Sequence, residues 1–263
     1  MKEILKFFIP KKYKKDISKI MGIIRGEYFI IPKNKITYSH DLLYTYHNAD
    51  FMKEKLFIES YNLGKATDED MLIKNYDIEW RVHVLCWASS QVAHLDGDFV
   101  DCGVHTGITA RAIINYIDFP NTHKKYYLLD TFTGLDKKYS TDKELERNKS
   151  RGYEKRGDIY EKVKETFKKF NVEIIKGAVP ETLTRVKTDR VCFLSIDMNC
   201  VKPEVDALNY FWDKIVTGGM IILDDYGYAN STNDQKAAHD EFAKSKGVKI
   251  LSLPTCQGLI IKP

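Results

Sequence analysis

No apolar run in this chain of 263 residues comes near the ~18 residues needed to cross a bilayer, so no membrane span is expected. Its five cysteines, Cys86, Cys102, Cys192, Cys200 and Cys256, are odd in number and contain no C-x-x-C pair. That excludes a readable disulfide framework or zinc cluster and points to a reducing cytoplasm. No internal repeat or low-complexity tract is present at any visible period. A signal peptide is also missing: the run Ile4 to Pro10 is short, contains Lys6 and precedes the basic residues Lys11, Lys12, Lys14 and Lys15. No export is expected. Nor is there an Asn-Pro-Pro-Tyr-type pocket for a flipped base.

What is there reads as one large globular domain, or one with an appendage, since hydrophobic residues make up 43% and charged residues 30%. The net charge of +4 is unevenly placed. Met1 to Lys35 holds ten Lys/Arg against three Asp/Glu, or +7, which leaves −3 on the remainder. A mildly acidic body argues against a nucleic-acid partner. The basic segment has two open readings, a solvated helix whose Ile/Phe face packs on the body, or contact with an anionic membrane surface.

Ile78, Val82, Leu85, Val92 and Leu95 keep helical spacing up to the stop Asp96-Gly97-Asp98. Everything upstream is expected to be a helical extension over 1–77 that serves as a lid, leaving 78–263 as the main domain. Strands and helices then alternate: strand 98–102, helix 107–118, strand 125–129, helix 158–170, strand 172–176, a short helix opened by Pro180, and strand 190–196. A helix opened by Pro203, strand 219–223, a helix from Asp234 and strands 248–253 and 258–262 follow. The implied fold class is α/β, a Rossmann-like, doubly wound, mostly parallel seven-stranded sheet. Only Pro254 to Gln257 separate the last two strands, so that pair must be an antiparallel hairpin. The polar stretch 136–157 has almost no apolar residue and reads as a mobile loop or lid.

Asp101-Cys-Gly103-Val-His105-Thr-Gly107 closes the first strand of the sheet and opens a helix, where open α/β sheets bind nucleotides. A dinucleotide fingerprint needs glycine at the middle position, which is His105 here. Asp101 would repel a pyrophosphate and attract a ligand carrying an amino group and a sulfonium. Both features favour S-adenosylmethionine over NAD. Asp130 closes the next strand and is placed to accept both ribose hydroxyls, unless it serves only as a turn or cap aspartate. Lys176-Gly177-Ala178 would face the adenine by position alone.

The later strands end at Asp197 and at Asp224-Asp225. Neighbouring strands bring these three carboxylates together, and such groups repel unless something positive lies between them. An oxygen-liganded ion, Mg²⁺ or else Mn²⁺ or Ca²⁺, would supply that charge. Alternatively, one or two of the three cap helices or turns.

Asp98-Phe-Val-Asp-Cys-Gly-Val104, Tyr127-Leu-Leu-Asp-Thr-Phe-Thr-Gly134, Ile196-Asp197 and Leu223-Asp-Asp-Tyr226 resemble the macrocin O-methyltransferase family, of TylF/MycF/NovP type, over about 78–263. The resemblance implies an S-adenosylmethionine- and Mg²⁺-dependent enzyme that methylates sugar hydroxyls. It implies metal ligands at Asp197, Asp224 and Asp225, and a general base at Asp197. Cofactor contacts are expected at Asp101, Gly103, His105, Thr109, Asp130, Thr131, Ala178, Asp197 and Met198. The chain departs from the family pattern at Asn199 and Val201, which replace an acid and an aromatic, and at Thr106-Gly107-Ile108, where Arg-Gly-Gly is usual.

A carboxylate on a metal is a weak base, so His105, His83 and His239 stand as rivals to Asp197. The expected acceptor is a nucleotide-linked sugar or a bacterial surface polysaccharide, and the protein is expected to be a cytoplasmic homo-oligomer. The competing readings are an NAD-type oxidoreductase and a non-catalytic glycan-binding relative.

Overall fold

The computed structural model describes residues 19, 23–27, 32–68, 77–150, 157–228 and 233–263. Most of the basic Met1 to Lys35 segment, including its expected helix, lies outside the described residues. By its contacts the chain forms two compact units, Met1–Ala49 and Asp50–Pro263. The described residues 50–68 and 77 fall in the second unit.

In the first unit the described residues include short helical pieces at 19, 23–24 and Lys33–Lys35 and, beside them, a strand pair. Strands β1 (Tyr38–His40) and β2 (Leu43–Thr45) pair antiparallel with Tyr38 opposite Thr45. Asp41 and Leu42 between them both have positive φ, the backbone of a tight two-residue hairpin turn. Tyr38 on one arm and Tyr44 with Thr45 on the other suit a pleated ribbon.

The second unit opens with helix α1 (Lys55–Lys65) and helix α2 (Glu79–Val92). A parallel core follows: β3 (Asp98–Cys102), α3 (Ile108–Tyr116), β4 (Tyr126–Asp130), α4 (Asp142–Ser150), α5 (Tyr160–Phe167) and β5 (Val172–Lys176). The chain continues through β6 (Val191–Ile196), α6 (Val201–Trp212), β7 (Ile215–Leu223), α7 (Asn233–Ser245), β8 (Leu251–Ser252) and β9 (Gly258–Ile261). The sheet order is β5-β4-β3-β6-β7-β9-β8. All pairs from β5 to β7 are parallel, while β9 runs antiparallel to both β7 and β8. The doubly wound sheet with a terminal hairpin is as expected.

Alternation along the central strands builds the two faces. Phe99, Tyr126, Leu128, Phe193 and Ile222 pack with α2, α3 and α5, whereas Val100, Leu129, Leu194 and Ile221 pack with α6 and α7. Helix α1 rides on α3 through a close approach: a β-carbon on Gly64 would lie 2.4 Å from the Ile108 carbonyl oxygen.

Several expected elements differ, and the strand expected over 248–253 is reduced to Leu251–Ser252. At Pro180 there is only a single 3₁₀ turn, Leu183–Arg185, because too few residues precede the extended Val186 to propagate a helix. Helix α6 begins at Val201, two residues before Pro203, which sits in the first turn where a missing N–H costs nothing. Strand β7 starts four residues earlier than expected, at Ile215, where Ile215 pairs with Val191.

Candidate active site

The ladder continues beyond the ends of the parallel strands and lines up the residues of interest. Gly177 N–H donates to the Asp130 carbonyl, Gly103 N–H to Leu129, Asp197 N–H to Cys102 and Asp224 N–H to Ile196, all at 2.8–2.9 Å. Asp130, Gly103, Asp197 and Asp224 thus stand on adjacent strands at one level of the carboxyl edge, each about 4.8 Å from the next. Gly103 is obligatory there. Its φ is +98°, and a β-carbon would fall 1.8 Å from the Asp197 carbonyl oxygen.

A cleft of about 880 Å³ of empty space, its open mouth included, lies over this edge. Gly103, His105, Asp130 and Thr131 line it on one side, and Ala178 with Asp197 and Met198 on the others. Two expected cofactor residues, Asp101 and Thr109, are not among the lining groups. Asp101 is 1% exposed, since its strand position points it into the helix-covered face rather than into the opening. Its Oδ2 has no hydrogen-bond partner. Burial, with the Asp130 charge adding to it, pushes the Asp101 carboxyl up to about 8, while the Ser195 and Thr109 hydroxyls pull the other way.

Asp130 is held as a turn aspartate and also faces the cleft. Its Oδ2 accepts the His105 N–H at 2.8 Å and its Oδ1 the Phe132 N–H at 2.6 Å. Burial raises its pKa and these backbone donors lower it. The two readings offered for this residue are compatible, because N–H bonds that fix the carboxylate leave lone pairs toward the opening. Asp130→Ala is expected to weaken S-adenosylhomocysteine binding by ~1–3 kcal/mol, the cost of unpairing buried polar groups. Titration calorimetry reads it, and an unaltered dissociation constant would place the ribose elsewhere.

On the far side of Gly103, Asp197 Oδ1 accepts Asn199 Nδ2 at 3.0 Å. Burial pushes the Asp197 carboxyl well up, with the charges of Asp224 and Asp225 adding to it, and Arg81 opposes them. A positive side chain pairs with two of these three acids. Arg81, in the first turn of α2, places Nη1 2.5 Å from Asp224 Oδ2 and 3.2 Å from Asp225 Oδ1. Gln257, from the β8–β9 turn, donates Nε2 to Asp224 Oδ1 at 3.1 Å. Neither residue was singled out from sequence, and no local signal marks them, because Arg81 and Asp224 are 143 positions apart.

The histidines separate clearly. His83 is stacked on Phe51 at 4.1 Å between centroids, and His239 is buried with Nε2 3.1 Å from Glu204 Oε2 but without the angle of a hydrogen bond. Of the three, His105 alone lines the cleft.

The polar stretch expected as a mobile loop is in part a docked helix; its residues 151–156 lie outside the described residues. Thr141 and Glu144 form a capping box at the start of α4, with Thr141 N–H 2.7 Å from Glu144 Oε2 and Glu144 N–H 3.3 Å from Thr141 Oγ1. The other Glu144 oxygen accepts the Val201 N–H at 2.8 Å, capping α6 as well. Arg147 donates to the Asn199 carbonyl at 2.6 Å. Asn148, 5% exposed, lines the cleft with Nδ2 unpartnered. The Thr-x-x-Glu spacing was the available signal. Glu144→Ala is expected to cost ~1–2 kcal/mol in denaturant melts by uncapping two helices at once, with Glu144→Gln recovering much of it. An alanine variant as stable as the parent would mean that the docking is not needed.

The sequence profile of the Macrocin-O-methyltransferase (TylF) family matches residues 80–251. The chain belongs to this family. A relative from Streptomyces olivaceus, 8-demethyl-8-(2,3-dimethoxy-alpha-L-rhamnosyl)-tetracenomycin-C 4'-O-methyltransferase, is 26% identical over 142 residues. That alignment takes in 49% of this chain and 53% of the relative, so it spans about half of the relative's length. Two solved structures share the architecture of this macrocin O-methyltransferase family member. The O-methyltransferase NovP has a TM-score of 0.64 at 17% identity, covering 78% of this chain and 97% of its own. The calicheamicin methyltransferase CalS11 has a TM-score of 0.53 at 15% identity, covering 82% and 94%. At these identities the likeness establishes the fold. Among the described residues, no helix is long and apolar enough to cross a membrane.

Proposed function

We propose that this chain transfers the methyl group of S-adenosylmethionine to a sugar hydroxyl, with a divalent ion, Mg²⁺ by preference, as its second cofactor. The acceptor is a nucleotide-linked sugar or a surface polysaccharide, and the setting is the cytoplasm. The observation that carries this reading is the single row across the sheet edge. It sets a ribose-type carboxylate, Asp130, beside a cleft, with three further carboxylates two and three strands away. The rhamnosyl group in the name of the Streptomyces relative supports a sugar acceptor.

The residues fit the donor. The unpartnered Asp101 Oδ2 is a buried polar atom behind the cleft, and a nearby cationic ligand would favour the ionised form that burial opposes. Asp130, Thr131 and Ala178 all line the cleft, which supports a ribose at the first two and an adenine beside the third. The donor chemistry also fits a hard divalent ion, since three carboxylates with one arginine retain excess negative charge. Asp197, Asp224 and Asp225 would hold it. A hard ion held there would supply Lewis acidity that lowers the pKa of an acceptor hydroxyl.

The remaining work falls to side chains. Asp197 Oδ1 is occupied by Asn199, so Oδ2 is the atom that takes the hydroxyl proton. Arg81 and Gln257 fix the Asp224 carboxylate from both sides. Helix α4 walls the cleft, and Asn199, held through its carbonyl by Arg147, keeps the loop after β6 in place. Positioning for in-line transfer then contributes most of the acceleration. Incubation with S-adenosylmethionine, Mg²⁺ and a panel of GDP-, UDP- and TDP-sugars should give a product heavier by one methylene in mass spectrometry. No product across the panel, with protection from heat by NAD but not by S-adenosylhomocysteine, would favour a dehydrogenase instead.

A further inference from the structure

Arg81 lies where a divalent ion would have to act. Its guanidinium pairs with both members of the Asp224-Asp225 pair, and Gln257 takes the remaining Asp224 oxygen while its own Oε1 is held by Thr255 Oγ1 at 2.9 Å. The side chain is well anchored, 10% exposed, with its guanidinium carbon 5.2 Å from the Tyr228 ring centroid. Among the described residues, Asp197, Asp224 and Asp225 do not bring three oxygens within 4.8 Å of one another. The acids are arranged around an arginine rather than around a point.

We infer that Arg81 is a built-in competitor for the divalent ion. Its charge occupies the Asp224-Asp225 pair in the metal-free protein, and the ion binds only as the guanidinium gives up those oxygens. The inference rests on the metal part of the proposed function. Two arguments support it. Two cations drawn to the same buried carboxylates repel each other strongly where little water screens them. An arginine also satisfies acids that would otherwise be buried without a partner, so the site can persist empty of metal without an uncompensated charge pair. Metal occupancy then depends on a displacement and not on a preformed cage, which makes it responsive to whatever else enters the site.

Calorimetric titration of Mn²⁺ into metal-stripped protein tests this without turnover. Arg81→Met should bind Mn²⁺ at least tenfold more tightly than the parent, Arg81→Lys should fall between them, and Asp224→Asn should abolish binding. Equal or weaker affinity in Arg81→Met, or no binding in any of these proteins, overturns the inference; a weaker affinity would make Arg81 a support for the metal ligands. Should the methionine variant fail to fold, the parent protein decides: saturating Mg²⁺ should shift the Arg81 Nε–H resonance and speed its exchange with water, and an unmoved resonance counts against displacement. S-adenosylhomocysteine binding, measured alongside, bears on methyl transfer separately. Its loss with the Mn²⁺ order intact would count against the proposed function and leave the role of Arg81 standing.

Discussion

Asp197→Asn is expected to lower methyl transfer by ~10²–10⁴-fold, the usual contribution of a general base, while S-adenosylhomocysteine still binds. The same change should make the protein more stable. The amide keeps the shape of the side chain, and the ladder bond from Asp197 N–H to Cys102 belongs to the backbone. What disappears is a buried charge that faces Asp224 and Asp225. The sign follows from linkage. A carboxyl raised above its unfolded value of ~3.9 binds its proton more tightly when folded, so the native state loses stability as pH rises from that value through the folded one. The asparagine variant escapes this loss and should gain most over the parent at neutral pH. Thermal melts at acidic and neutral pH, together with single-turnover assays, separate the two effects. Normal turnover would move the base to His105, and a lower melting temperature at neutral pH would mean that Asp197 contributes contacts the present account omits.

Gly103→Ala should be the most damaging single methyl group in the chain. Any β-carbon there must push the Asp197 carbonyl away from β3, and the positive φ adds strain of its own. Relief requires β6 to shift at the level where Asp130, Asp197 and Asp224 are aligned, so stability should fall by ~3–5 kcal/mol and cofactor binding with it. Denaturant unfolding followed by circular dichroism measures the first, calorimetry the second. A variant melting within ~1 kcal/mol of the parent would show that the strand ends are far more pliable than close packing allows.

Much of the fold was legible because its determinants are local. Phe99-Val100, Tyr126 to Leu129 and Val191 to Ile196 are short apolar runs bounded by polar turns, and such runs specify buried strands wherever they lie. Pro254 to Gln257 left no room for a crossover helix, which settled the hairpin. The stretch 136–157 misled because α4 has little apolar surface. It is held by the capping box and by Glu144 and Arg147 reaching to α6 and the β6–α6 loop, interactions that hydropathy does not register. The hairpin Tyr38 to Thr45 was missed for a related reason, since three-residue strands are too short for period-2 alternation to stand out.

The candidate site divides along the same line. Sequence by itself determined that Asp130, Asp197, Asp224 and Asp225 end parallel strands of one sheet, because strand limits and chain order are enough to put them on one edge. Only the tertiary structure decided what balances their charge. Arg81 comes from a helix that precedes the whole sheet and Gln257 from its last turn, and Coulomb attraction acts between whatever groups the fold brings close, regardless of their distance along the chain.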